Sequence, residues 1–186
     1  SGLGPMMESR KQRIRVFEMG FGTALNAVLT EKASKRTGIE VEYHAVELYP
    51  LEESIWRTYG EALDPDLQKV HGMMHTEPWG GSGFRVSDRF ILHKYQRSME
   101  DVLPIDCIDL VYYDAFGPAT QPELWTVDIF SKIYDTMTGG GVLVTYCCKG
   151  SVRRAMVGVG FKVEKIPGPP GKREMIRAFK PFITSN

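Results

Sequence analysis

The chain has 186 residues, of which 42% are hydrophobic and 25% are charged. This length suits about one domain whose core needs no disulfides, and the composition excludes wholesale disorder. No apolar run approaches the ~18 residues of a membrane span, and the first ten residues lack the apolar segment of a signal peptide.

The cysteines and histidines give no sign of a disulfide framework or a metal site. Two of the three cysteines, Cys147 and Cys148, are adjacent, and no C-x-x-C motif surrounds them. His71 and His75 are spaced i, i+4, but no glutamate follows His71 in the metalloprotease pattern. We therefore expect a reduced, cytoplasmic protein that binds neither a metal nor a membrane.

The net charge of zero conceals an uneven distribution. From Lys149 to Lys180 there are nine basic and two acidic residues, so this segment carries +7 and the remainder of the chain −7. Such a basic segment suits an anionic partner such as RNA, although a solvated basic surface explains the charge equally well.

Strand-like and helix-like segments alternate along the chain. Helical patterns begin near residues 24, 50, 122 and 151, and the strand-like segments are 14–19, 41–47, 90–95, 108–113, 142–147, 161–166 and 174–179. The last two strands are joined by a turn too short for a crossover helix, so they pair antiparallel. The pattern predicts an α/β fold of the Rossmann-like class I methyltransferase type. It has a mostly parallel seven-stranded sheet, an antiparallel C-terminal hairpin and helices on both faces.

Domain boundaries follow from the same pattern. Residues 1–13 read as a tag remnant or a truncated N-terminal segment, residues 14–180 as the catalytic domain, and residues 181–186 as a tail.

A glycine loop follows the first predicted strand, with the sequence Glu18-Met-Gly-Phe-Gly-Thr-Ala-Leu-Asn26. Its glycines let a ligand approach the backbone, but Leu25 stands where the dinucleotide fingerprint has its last glycine. Glu18 would repel a pyrophosphate and suits the α-amino group of S-adenosylmethionine. The loop therefore disfavours a nicotinamide oxidoreductase.

Two further acids end predicted strands. Glu47 ends the second strand, where an acid can accept both hydroxyls of an adenosine ribose. Asp114 ends the fourth and should face the same crevice, where a carboxylate suits an amine substrate, although an Asp after a strand often only caps a turn. Phe116 could stack on a base or on adenine.

Four strings, E-M-G-F-G-T-A-L-N, Y-D-A-F-G-P-A-T-Q-P-E-L-W, V-R-R and K-R-E-M, occur in this order. They strongly resemble the methyltransferase domain of the bifunctional tRNA 5-methylaminomethyl-2-thiouridine biosynthesis proteins, the MnmC family. The resemblance runs from about Ile14 to Phe179 and departs at Ala24, where the family has a third glycine. It implies N-methylation of the aminomethyl group of the tRNA wobble uridine, with S-adenosylmethionine as the donor.

The resemblance also implies roles for individual residues. Asp114 would be catalytic. The cofactor would contact Glu18, Gly20, Phe21, Gly22, Thr23, Asn26, Glu47, Leu48, Ser98, Met99, Asp114, Ala115 and Phe116. The tRNA would contact Lys149, Arg153, Arg154, Lys172 and Arg173.

The fused FAD-dependent oxidoreductase domain of the family has no room in 186 residues. A separate oxidoreductase would then be a partner. Two other functions fit the same fold. One is aminopropyl transfer of the polyamine-synthase kind, against which Glu18 argues because a decarboxylated donor needs no acid at that end. The other is a non-catalytic nucleotide-binding or RNA-binding module, which would leave the Asp114 loop unexplained.

Overall fold

The computed structural model describes residues 11–98, 105–168, 171 and 173–182. The chain divides into two compact units, one holding the described residues up to 98 and the other those from 105 onward. Among the described residues, every helix falls short of the length and apolarity that a membrane crossing needs.

The N-terminal unit holds four strands and three helices. They are β1 (Arg13–Met19), α1 (Leu25–Thr37), β2 (Glu40–Val46), α2 (Glu53–Glu61), α3 (Pro65–Thr76), β3 (Phe84–Ser87) and β4 (Phe90–Tyr95). The strands lie in the order β3-β4-β2-β1. β2 pairs parallel with β1 and β4, while β3 pairs antiparallel with β4. The carboxyl ends of β1 and β2 therefore meet at one edge, as ligand binding in α/β sheets requires.

The core of this unit is built from alternate residues of its parallel strands. Ile14, Tyr43 and Phe90 are fully buried, and the rings of Tyr43 and Phe90 stack with centroids 5.4 Å apart. Met74 of α3 is also fully buried. The side chains on this face of β1, β2 and β4 are thus apolar except for Glu18 and Lys94 near the carboxyl ends of their strands, and residues 42, 44 and 93 lie on the opposite face.

The C-terminal unit begins with a parallel pair and ends with a hairpin. It contains β5 (Ile108–Tyr113), a 3₁₀ helix (Pro122–Trp125), α4 (Val127–Thr136), β6 (Met137–Thr145), α5 (Gly150–Val159), β7 (Lys162–Pro167) and β8 (Glu174–Phe179). β5 pairs parallel with β6, and β8 lies between β6 and β7, antiparallel to both. The predicted antiparallel C-terminal hairpin is confirmed.

The α/β class is confirmed with one strand more than predicted. The described residues contain eight strands, four in each unit, whereas the sequence pattern gave seven. The additional strand β3 has only four residues, too few to show alternation. The helix α3, which lies before β3, was also absent from the predicted elements. It begins at Pro65, and proline is favourable in the first turn of a helix.

Candidate functional site

The loop after β1 is held in a conformation that glycine favours. Gly20 and Gly22 have φ of 86° and 46°, and Ala24 at the start of α1 has φ of 58°. Gly20 N donates to Val46 O at the end of β2 (3.0 Å), and Ala24 N donates to Phe21 O (2.8 Å). A Cβ at Gly22 would have no heavy atom within 4 Å. The loop is therefore folded back on β2 and leaves open space beside Gly22.

Two carboxylates meet this loop from different strands. Glu18 at the end of β1 is 1% exposed, and its Oε1 accepts from Asn26 Nδ2 of α1 at 2.9 Å. Glu47, half-buried just after β2, accepts from Gly22 N through Oε2 at 3.3 Å and from Tyr49 N through Oε1 at 3.0 Å. The structure thus joins Asn26 to Glu18 and Gly22 to Glu47; that these residues hold a methyl donor stays a prediction.

The other predicted loop residues differ in what they offer a ligand. Phe21 is buried, and its ring lies edge-to-face against Trp79 with the ring centroids 5.6 Å apart. The Thr23 carbonyl lies 3.2 Å from His71 Nε2 of α3. Leu48 is exposed and Ser98 is half-buried. The predicted residue Met99 lies outside the described residues.

Lys94 on β4 is a buried cation beside this loop that the sequence analysis did not single out. Its Nζ donates to Met74 O (2.7 Å) and His75 O (3.1 Å) at the end of α3, and lies 4.7 Å from the Trp79 ring centroid. Burial lowers the pKa of Lys94 to about 8. Lys94 thus holds the end of α3 by hydrogen bonds and contacts the Trp79 ring. Trp79 in turn packs against the Phe21 ring. In the sequence, the one sign of this buried cation is a lysine at a position of an alternating strand where the pattern calls for an apolar residue.

Asp114 lies in the C-terminal unit, immediately after β5. It is exposed, as is Phe116, while Ala115 is half-buried. The loop is fixed behind them, because Trp125 Nε1 donates to Phe116 O at 2.8 Å and the Tyr113 hydroxyl donates to Leu124 O. The sequence placed Asp114 at the carboxyl end of a strand, and β5 indeed ends at Tyr113.

The predicted tRNA-contacting residues also lie in the C-terminal unit. Lys149 precedes α5, and Arg153 follows one turn later with its N–H on the Lys149 carbonyl at 3.1 Å. Lys149, Arg153, Arg154 and Arg173 are exposed, and within the described part of the chain none of them forms an ion pair. The predicted residue Lys172 lies outside the described residues.

Other basic residues of this segment have structural partners. Lys165 pairs with Glu174 at 2.8 Å, and Arg177 pairs with Glu164. Lys180 donates to Tyr134 O (2.7 Å) and Met137 O (2.8 Å). The sequence shows how many basic residues this segment has. It does not show which of them are engaged in structural contacts and which are available to a ligand.

Comparison with known proteins gives a consistent result. The profile of a family described as S-adenosyl-L-methionine-dependent methyltransferases matches residues 92–181. Over these residues, just under half of the chain, the protein is similar to S-adenosylmethionine-dependent methyltransferases. The predicted resemblance to MnmC proteins is confirmed as well. The tRNA 5-methylaminomethyl-2-thiouridine biosynthesis bifunctional protein MnmC of Nitrosospira multiformis is 32% identical over 180 residues, which cover 88% of this chain and 28% of that protein.

A second relative and two solved structures extend the comparison. The MnmC protein of a Marinomonas species is 30% identical, over 89% of this chain and 26% of its own length. A crystal structure of MnmC2 from Aquifex aeolicus superposes with a TM-score of 0.76 and 25% identity, covering 99% of this chain and 59% of that one. A methyltransferase from Pyrococcus furiosus shares the fold alone, with a TM-score of 0.56 and 14% identity over 96% of this chain and 81% of that one. The chain thus spans little more than a quarter of the curated MnmC relatives.

Proposed function

We propose that this chain transfers a methyl group from S-adenosylmethionine to the aminomethyl nitrogen of a tRNA wobble uridine. The reaction would convert 5-aminomethyl-2-thiouridine to 5-methylaminomethyl-2-thiouridine. The observation that carries the proposal is the pair of acids at the glycine loop, Glu18 bound to Asn26 and Glu47 bound to Gly22 N. Resemblance to MnmC proteins supplies the acceptor.

The residues at the loop fit a cationic nucleoside and not a dinucleotide. A pyrophosphate at Gly22 would meet the Glu47 carboxylate, which already accepts from Gly22 N at 3.3 Å. Two acids at one loop instead favour the positive charge of S-adenosylmethionine. Glu18, oriented by Asn26, would hold the α-amino group, and Glu47 would accept from the ribose hydroxyls. When bound, this cosubstrate supplies an electrophilic methyl group on a sulfonium.

Asp114 would act on the acceptor. The lone pair of the neutral amine forms the new N–C bond as the C–S bond breaks, and the electron pair stays on sulfur. The nitrogen gains a positive charge, which a nearby carboxylate stabilises. Asp114 would orient the amine before the transfer and accept the proton that the product ammonium releases. Positioning would supply most of the acceleration, since little other charge develops.

The exposed basic residues that form no ion pair with another described residue would hold the tRNA. Lys149, Arg153, Arg154 and Arg173 are exposed, and their charges are available to phosphates. Lys172 belongs to the same proposal on the grounds of sequence alone. The tRNA substrate would place the activity in the cytoplasm, and an oxidoreductase that supplies the aminomethyl group would be a partner.

The test is methylation of tRNA from a strain that cannot methylate 5-aminomethyl-2-thiouridine. The protein and labelled S-adenosylmethionine are incubated with this tRNA, and the wobble nucleoside is identified by mass spectrometry. We expect Asp114→Asn to lower turnover by about 100-fold or more and to leave S-adenosylhomocysteine affinity within about twofold, because the donor would be held by Glu18 and Glu47.

Asp128→Asn is the matched control, since Asp128 is an exposed aspartate of the same unit. It should turn over like the unaltered protein. Equal turnover of Asp114→Asn and the unaltered protein would remove Asp114 from the mechanism. Absence of label from the tRNA would refute the proposed reaction.

A further inference from the structure

Three potential metal ligands converge on β2 and β4 of the N-terminal unit. The parallel register sets His44 directly opposite His93, and their rings stack with centroids 4.5 Å apart and planes 12° apart. Glu42 Oε1 lies 3.5 Å from His44 Nε2 and 3.8 Å from His93 Nε2. The three ligand atoms lie within 4.8 Å of one another. All three residues are on the face of the sheet opposite Tyr43 and Phe90.

The remaining atoms of these side chains are already engaged. His93 Nδ1 lies 2.9 Å from Gly81 O. A carbonyl can only accept, so Nδ1 carries the proton and Nε2 has the free lone pair. His44 Nδ1 lies 3.2 Å from the Tyr95 hydroxyl. When Nδ1 donates there, Nε2 of His44 is also a free acceptor.

His44 supplies the independent sign of a missing ligand. The residue is 5% exposed, and its Nε2 is buried with no hydrogen bond. A buried ring nitrogen without a partner is costly unless something else binds it. Glu42 Oε1 lies 3.5 Å from this nitrogen, and His93 Nε2 lies 3.8 Å from the same carboxylate oxygen.

We propose that Glu42, His44 and His93 form a binding site for a late first-row divalent cation such as Zn²⁺. Each histidine has the outer hydrogen bond that commonly orients a metal-bound imidazole, one to a carbonyl and one to a tyrosine. Two imidazoles and one carboxylate leave a coordination position for water. Ligand atoms on one tetrahedral Zn²⁺ lie about 3.4 Å apart, so the observed 4.8 Å spread requires the side chains to close by about 1.4 Å on binding.

Two features define how the ion would bind. The ring planes are nearly parallel, so each imidazole must rotate about its Cβ–Cγ bond to aim Nε2 at an ion between them. That torsion is broad and permits the rotation. Arg13 Nη2 at 2.9 Å and Arg15 Nε at 3.1 Å both donate to Glu42 Oε2.

These arginines set the selectivity of the site. Both guanidinium groups bind Glu42 Oε2, which leaves Oε1 of the carboxylate for the ion. The same guanidinium charges offset the carboxylate and weaken purely electrostatic attraction. Mg²⁺ and Ca²⁺ bind through hard oxygen ligands and would bind poorly, whereas imidazole suits Zn²⁺ and Co²⁺.

The experiment is titration of the tag-free, metal-stripped chain with Co²⁺, followed by its visible absorption, with Zn²⁺ as competitor and Mg²⁺ as negative control. We expect one equivalent of Co²⁺, displaced by Zn²⁺ and unaffected by Mg²⁺. His93→Asn keeps a donor for Gly81 O and removes Nε2, so the Co²⁺ affinity should fall at least tenfold. Tyr95→Phe should lower it by about tenfold or more, because it removes the outer partner of His44.

His75→Asn is the matched control. His75 is a second histidine of this unit whose Nε2 is buried without a hydrogen bond, and it lies on α3. This variant should keep the affinity of the unaltered protein. The proposal fails if no saturable binding occurs, or if His75→Asn loses as much affinity as His93→Asn. It also fails if a thiolate-to-cobalt band in the near ultraviolet assigns the ion to cysteines.

Discussion

Replacing Glu47 by glutamine tests the proposed donor site, because the hydrogen bonds of Glu47 allow the expected loss of donor affinity to be worked out. The carboxylate accepts from Gly22 N at 3.3 Å and from Tyr49 N at 3.0 Å. A carboxylate has about four acceptor positions, so about two remain for the two ribose hydroxyls. Glutamine turns one oxygen into an NH₂ group. That group would face either a backbone N–H or a ribose hydroxyl that needs an acceptor.

The expected loss is that of one charge-assisted hydrogen bond, about 1.5–3 kcal/mol. This corresponds to a fall in affinity of about 10- to 150-fold. The assay is calorimetric titration with S-adenosylhomocysteine, at equal protein concentration and after thermal unfolding has shown that the variant is folded. Turnover at saturating donor should change less than affinity, because Glu47 is proposed to hold the ribose and not the reacting atoms.

Glu40→Gln is the matched control, since Glu40 is exposed at the opposite end of the same strand. It removes the same charge without touching the loop, so its affinity should stay within twofold of that of the unaltered protein. If Glu47→Gln keeps full affinity, the assignment of Glu47 to the ribose is wrong. An equal loss in both variants would mean that overall charge, and not the position of Glu47, attracts the donor.

Three further predictions concern Lys94, Asn26 and the basic surface. Because the pKa of Lys94 is lowered from 10.5 to about 8, the unfolded chain binds more protons between these pH values. The free energy of unfolding, relative to Lys94→Met, should therefore rise by about 2 kcal/mol from pH 7 to 9.5 in urea titrations; a constant difference would contradict this. Asn26→Asp sets a second carboxylate against Glu18 and should lower the free energy of unfolding by about 2 kcal/mol at pH 7, and by less at pH 5, where the pair shares a proton. Equal losses at both pH values in thermal unfolding would exclude that repulsion. Replacing both Lys149 and Arg153 by alanine should reduce the salt dependence of tRNA binding, measured as the slope of log affinity against log salt, by about 2; an unchanged slope would remove them from the interface.

The sequence predicted the strands well where their hydrophobic pattern was long. It missed the first part of one strand, which is rich in glycine. The predicted strand begins at residue 142, whereas β6 begins at Met137 and contains residues 139–141. A Cβ at Gly140 would lie 2.3 Å from the Phe182 ring, and one at Gly141 would lie 2.9 Å from Thr138 O. These glycines allow close packing, which depends on contacts that a local pattern does not contain.

The glycine loop and its neighbouring acids could be predicted to lie together because they are close in sequence and each residue type has a local reason. Glu18 and Gly22 lie within one short segment, and Glu47 ends the next strand. Lys94 could not be predicted, because its partners are carbonyl groups of α3. The histidines posed the same difficulty. His44 and His93 are 49 positions apart, so only the register of two parallel strands reveals that they face each other.

Tyr95 links the proposed metal ligands to the donor site, yet the two can act independently. Its hydroxyl meets His44 Nδ1 at 3.2 Å, while its carbonyl accepts from Glu47 N at 3.1 Å. The second contact is a backbone bond at the end of β4, and it does not require the side chain to stay fixed. Tilting of the His44 ring toward an ion would therefore move the tyrosine hydroxyl and leave the position of Glu47 unchanged. For this reason the methyl-donor proposal and the metal proposal stand or fall on separate measurements.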